Sequence, residues 1–488
     1  MIDVNIEKGR YNIYFKKERG IKMEKKIGLK SLIFMNVSAL YGIRWISKST
    51  SNSFGLGLGA IPTWFVFALV YFIPGSLICA ELAAAFKERD GGLYDWVKEA
   101  YGEKQGFLVC WLNWVAKVFW YSSFLTFLAI NISYTIGMPG LADNKYFALI
   151  FSLIVFWALS IMSTKGISFA QIFTSTGALG STIPTIVLII FAFLSVVILK
   201  KQPSASVYTV ATLTPKLNAD SFVAISSIMF GFAGAETLAP FITHIDNPEK
   251  NFPKAILISA LLVAVLYVVG TISITLLLNP DQITASKGLL DAIGKGASLL
   301  GIGSFLLQII AAGISFSILG CIILYISSPI KMLFGSVEGV FSERLTKTNE
   351  NDIPANAVYA QAILVTIILV LTNLMPSVDA VYNVLITMTA LASLFPYVLL
   401  YASYIKLRKE RPDLERPYKM VKSDKTAINI ARFLLVITLI GLFLTAAPVM
   451  ETFSENVIYE IEMVGGSIII IISGLLMWRR REKRLSNN

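Results

Sequence analysis

The chain has 488 residues, 55% of them hydrophobic and only 15% charged, and its mean hydropathy is +0.69. No polar stretch is long enough for a large soluble domain, so a soluble enzyme or binding module is excluded. The formal net charge of +11 reads as basic loops facing anionic lipid rather than as a surface for nucleic acid.

Residues 1–29 form a basic N-terminal tail with no signal-peptide core, and Met23 offers a second start within it. After the tail, apolar segments of membrane-crossing length recur to the end of the chain. Twelve spans are expected, near 30–54, 62–86, 106–137, 146–164, 169–199, 221–243, 254–278, 299–334, 356–374, 379–405, 427–449 and 463–478. A loop at 200–220 separates spans one to five (30–199) from spans six to ten (221–405). A basic loop at 406–426, read as solvated, precedes the last two spans (427–478), and a short tail (479–488) follows them. Of 42 Lys and Arg, 32 fall on the side of the termini, 6 on the other and 4 inside spans. That asymmetry puts both termini in the cytoplasm. The fold class is therefore an all-α polytopic membrane protein of the cell membrane. Between spans two and three, Tyr94, Trp96 and Val97 mark an amphipathic segment on the inner membrane surface.

Two spans are interrupted. The first carries Asn36-Val37-Ser38-Ala39-Leu40-Tyr41-Gly42-Ile43-Arg44 and the sixth carries Gly231-Phe232-Ala233-Gly234-Ala235-Glu236. Glycine weakens a helix and a buried carboxylate is costly in hydrocarbon, so neither suits a lipid-facing span. Both suit a helix that opens to expose its backbone to a polar solute. The interruptions lie five spans apart, so their helices run in opposite directions, as in an inverted repeat. At ~1.5 Å per residue, Tyr41, Lys117 and Gly231 all lie ~15–16 Å into their spans, near the bilayer centre.

Broken helices offer free N–H groups, which favour a carboxylate, and free carbonyls, which favour an ammonium. A zwitterionic amino acid fits both. The donors are assigned to about Ala39–Ile43 and the carbonyls to about Met229–Ala233, which includes Phe230. Lys117 is costly at this depth and must face the interior. It reads as a partner for a substrate carboxylate, as a group whose proton is released during transport, or as a structural partner of Glu236 or a carbonyl. Trp120 and Tyr121 either line the same cavity or pack. Arg44 draws a side-chain carboxylate, closes an outer gate, or reaches the interface beside Lys48. Glu236 either carries a coupling proton or holds the broken segment. His244 is the only histidine, which rules out histidine triads, and Cys79, Cys110 and Cys321 have no metal or disulfide spacing. No cofactor or metal is called for. Coupling to a proton fits these residues, and sodium coupling stays open.

The chain resembles the amino acid–polyamine–organocation superfamily, in particular its glutamate/GABA antiporter-like branch. The carrying residues are Asn36–Arg44, Phe72-Ile73-Pro74, Ala80-Glu81-Leu82-Ala83, Gly91–Val97 and Trp111-Leu112-Asn113-Trp114. Trp120-Tyr121, Gly231–Glu236, Asn247–Ala255 and Lys406–Lys419 complete the set. The resemblance implies a leucine-transporter-like fold, a 5+5 inverted repeat plus two helices, and amino acid transport by alternating access. Lys117 departs from it, standing where a neutral polar residue is expected. The partners implied are a small amino acid and the lipid bilayer. The other readings are a proton-coupled symporter, a polyamine or organic cation carrier, and a transport-inactive sensor.

Overall fold

In a computed structural model, the residues described are 4–7, 10–13, 27–41, 53–89, 91–165, 180, 182–215, 219–284, 287–337, 339–351, 353–374, 377–446, 457 and 460–486. Among them the chain is helical, apart from a short hairpin of β1 (Val4–Glu7) and β2 (Arg10–Ile13). The helices are α1 (Leu29–Leu40), α2 (Phe54–Ala85), α3 (Leu93–Tyr101), α4 (Glu103–Thr135), α5 (Lys145–Ser163) and α6 (Thr182–Ile198). They continue as α7 (Ala219–Gly231), α8 (Pro248–Leu277), α9 (Gly288–Leu299) and α10 (Phe305–Ser336). The last four are α11 (Ala355–Thr372), α12 (Val378–Glu410), α13 (Asp424–Ala446) and α14 (Gly466–Ser486).

Among the described residues, eight helices contain a stretch long and apolar enough to cross a membrane: α2, α4, α5, α8, α10, α11, α12 and α13. The described parts of the segments read as spans one, five, six and twelve fall short of that standard. α1 and α7 stop after 12 and 13 residues, α6 is short, and α14 runs into a charged end that stays helical to Ser486. The expected tail from residue 479 is therefore helix over most of its length.

α4 holds the centre. Its most apolar stretch is 89% buried, against 33–61% for the other membrane-length helices. It packs along α10 and α12, which is why it tolerates Lys117, Asn131 and several buried hydroxyls. The serines and threonines bond back to carbonyls three or four residues earlier, as at Ser123 and Thr126, so no hydroxyl there needs water. α3 is amphipathic as its sequence predicts. Its apolar face, including Tyr94, Trp96 and Val97, is buried against α4 and α12.

The two broken helices are joined at the end of the bundle where α1 begins. Ile27 forms a parallel bridge with Ile245. Its N–H donates to the His244 carbonyl at 2.9 Å, and its carbonyl accepts from the Asp246 N–H at 3.0 Å.

The basic loop after α12 is not fully solvated. Glu81 of α2 is buried, and one of its oxygens accepts from Tyr404 Oη (2.9 Å), Arg408 Nη2 (2.7 Å) and the Met420 N–H (2.9 Å). Arg416 lies 3.5 Å from the other oxygen, and Arg408 also bonds Asp424. Those arginines face inward because a buried carboxylate must be paired.

Candidate functional site

α7 ends at Gly231. The Phe232 and Ala233 N–H groups close its last turn on the carbonyls of Ile228, Met229 and Phe230, at 3.0–3.2 Å. The backbone then runs irregularly to Leu238 before a short 3-10 turn, Ala239–His244. Gly234 sits at φ +119°, a conformation open to glycine and strained for other residues, so the break is written into the residue type. α1 likewise ends at Leu40, and Tyr41 is already extended. The side chains of Ser38 and Ala39, and all of Gly42, Ile43 and Arg44, lie outside the described residues.

Tyr267 of α8 joins the two ends. Its hydroxyl lies 3.1 Å from the Leu40 carbonyl and 2.9 Å from the Gly231 carbonyl, the last carbonyls of α1 and α7. The carbonyls at a helix end have no partner within the helix, and here one side chain reaches one from each helix. Aromatic rings surround it. Tyr41 lies 5.6 Å, Trp64 4.7 Å and Phe232 5.3 Å from the Tyr267 ring, centroid to centroid. Phe232 also meets Trp64 edge-on at 5.0 Å and stacks on Phe72 at 4.6 Å. Such pairs favour one arrangement by ~0.5–1.5 kcal/mol each, so the position between the breaks is walled by rings.

A second tyrosine holds the far side of the break. The Gly234 N–H donates to Tyr397 Oη of α12, which in turn donates to Glu236 Oε2. Glu236 is half-buried and Tyr397 buried. The Glu236 carboxylate thus reaches the broken backbone through one intervening hydroxyl.

Lys117, Trp120 and Tyr121 are brought together on a different partner, Tyr325 of α10. Lys117 is 7% exposed and its ammonium lies 5.2 Å from the Tyr325 ring centre, a cation–π distance. The Trp120 ring is 5.1 Å from the same ring, and Tyr121 Oη donates to the Tyr325 carbonyl. Pro329 explains that last bond. A proline has no N–H, so the helical partner of the carbonyl four residues earlier is missing, and that carbonyl belongs to Tyr325. The Tyr121 hydroxyl takes the vacated place.

The structure therefore sorts the expected site residues into groups. Leu40, Tyr41, Gly231 and Phe232 meet around Tyr267. Gly234 and Glu236 meet around Tyr397. Lys117, Trp120 and Tyr121 meet around Tyr325. The Met229 and Phe230 carbonyls serve the closing turn, and the Met229 side chain lies against Gly441 of α13. Ala233 is buried within the break. Tyr267, Tyr325, Tyr397 and Trp64 were not singled out from the sequence. Only Tyr325 had a readable signal, its place four residues before Pro329.

A family model described as amino acid permease matches residues 27–484. The chain belongs to the amino acid permease family. Across most of its length this permease is similar to curated transporters. It is 28% identical over 466 residues to an uncharacterized transporter of Legionella pneumophila, covering 95% of this chain and 98% of the relative. It is 25% identical to a probable agmatine/putrescine antiporter of Lactococcus lactis, covering 93% and 95% of the two chains. A glutamate/gamma-aminobutyrate antiporter of the same species is 24% identical, with 85% and 84% covered. The permease is thus a membrane transporter of the amino acid permease family.

Proposed function

We propose that this permease is a secondary active carrier that binds an amino acid between its two broken helices and moves it by alternating access, in exchange for a second solute. One observation carries the reading: the last carbonyls of α1 and α7 converge on one buried point, the Tyr267 hydroxyl. Converging helix C-termini favour a cation, and the surrounding rings add to that preference. The substrate ammonium is assigned to this point. The carboxylate is assigned, on the sequence alone, to N–H groups of Ala39–Ile43. Lys117 is the candidate partner for an acidic substrate side chain, which favours glutamate-type exchange. Twelve spans as a 5+5 repeat plus two, with both termini cytoplasmic, belong to the same reading. So does a proton as the coupling ion.

A second reading, a diamine carrier, draws support from the aromatic walls, the paired carbonyls and Glu236. The buried cation at Lys117 weighs against it. Counterflow into proteoliposomes separates the two. Vesicles are preloaded singly with each proteinogenic L-amino acid, γ-aminobutyrate, putrescine or agmatine, and labelled uptake is followed. Uptake driven by an amino acid supports the first reading, and uptake driven only by diamines supports the second. If no solute drives uptake, the carrier reading fails.

A further inference from the structure

Tyr267 has one hydroxyl proton and two helix-end carbonyls within hydrogen-bond distance of it, at 3.1 and 2.9 Å. A hydroxyl donates once, whereas a primary ammonium carries three donors. The pair of carbonyls is therefore held by a group with fewer donors than the pair can accept. The residue is fully buried beneath Tyr41, Trp64 and Phe232. Its ring is thus fixed by packing, while its hydroxyl is held by the very atoms at which the proposed ammonium would dock. A buried carbonyl left with no donor costs ~1–3 kcal/mol. An empty carrier with two such carbonyls facing apolar rings would be poorly stable without a stand-in.

We infer that Tyr267 is a positioning residue whose hydroxyl substitutes for the substrate ammonium in the empty carrier, holding the ends of α1 and α7 together until substrate takes over the same carbonyls. This role rests on the carrier reading above. It makes the hydroxyl important to the empty protein and dispensable to the loaded one. A purely structural tyrosine would matter equally to both.

Tyr267→Phe tests the role, because it keeps the ring and removes only the donor. The probe is the solute that gives the largest counterflow in the wild type, added to purified protein for thermal melting. Without the probe, Tyr267→Phe is expected to melt below the wild type. At saturating probe the gap is expected to close, so the variant shows the larger probe-induced shift. In vesicles, Tyr267→Phe is expected to slow net uptake more than exchange, with net uptake falling about tenfold, the scale set by one buried carbonyl losing its donor. A melting gap that persists unchanged at saturating probe overturns the inference. If the variant is not recovered from membranes, purification with the probe present is expected to rescue it, and failure with and without probe also overturns the role. If the wild type shows neither counterflow nor a thermal shift with any probe, the carrier reading falls, and this role falls with it.

Discussion

The Tyr397 hydroxyl accepts from the Gly234 N–H and donates to Glu236, so one atom fixes both the backbone and the carboxylate of the break. Tyr397→Phe leaves two polar groups facing a ring edge. The expected result is a loss of ~1–3 kcal/mol in stability, together with a larger fall in transport, read by melting and counterflow on the same preparation. Lys117 offers a different test. Lys117→Met keeps the length and removes the charge, and its fold is expected to survive because Tyr325 and Trp120 still surround the chain. If Lys117 reads a substrate carboxylate, KM for L-glutamate rises at least tenfold and KM for neutral amino acids moves little. Equal changes for both classes would sink that role. Lys117 announced itself in the sequence because a mid-span cation is costly whatever surrounds it. Tyr267 and Tyr397 did not, because a tyrosine in an apolar helix is ordinary until its partner is known, and each partner lies on a distant helix.

At the scale of the element, Pro329 links the backbone of α10 to a side chain of α4. Pro329→Ala supplies the missing N–H and lets α10 reclaim the Tyr325 carbonyl. The variant is expected to melt no lower than the wild type yet carry less, since Tyr325 is the common neighbour of Lys117, Trp120 and Tyr121. Unchanged counterflow would show that the freed carbonyl has no part in the site. Helices were the readable part of this chain, since hydropathy and length mark eight of them directly. The breaks were readable too, because Gly231 and Gly234 are poor helix formers placed mid-span. The burial of the loop after α12 was not readable. Arg408 and Arg416 look like surface cations until Glu81, far earlier in the chain, is placed beside them.

For the whole molecule, that carboxylate joins α2, α12 and the approach to α13. Glu81→Gln leaves Arg416 without this counter-charge and Arg408 with Asp424 alone, where water is scarce. The expected cost is ~3–5 kcal/mol, the range for breaking a buried ion pair from one side, measured as a lowered melting temperature. A change within error would show that the arginines find other partners. A more exposed clamp lies nearby, where Glu99 of α3 meets Arg89 and Arg411. Partial burial pushes the Glu99 carboxyl up, but hydrogen bonds from Arg89 and then Arg411 outweigh that and hold it below the usual carboxylate range. A lowered folded value means the stabilisation is complete above the unfolded value and lost as pH falls through the folded one. The melting difference between wild type and Glu99→Gln is therefore expected at neutral pH, should shrink as pH falls below the ordinary Glu value of about 4.3, and should vanish below the lowered folded value. A difference that stays constant with pH would assign Glu99 a packing role instead.

The bridge between Ile27 and Ile245 sets an order of events during synthesis. It joins the residue just before α1 to the residue just after the second broken helix, so it closes a loop that contains α1 to α7. Closure over so long a stretch is slow and waits for the intervening helices to be placed. A nascent chain that has not yet emitted Ile245 has a first helix with nothing to anchor its entrance. The entrance of α1 should thus become protected later than the helices between it and Ile245, and pulse-labelled hydrogen exchange on arrested chains should see Ile27 protected only once Ile245 has emerged.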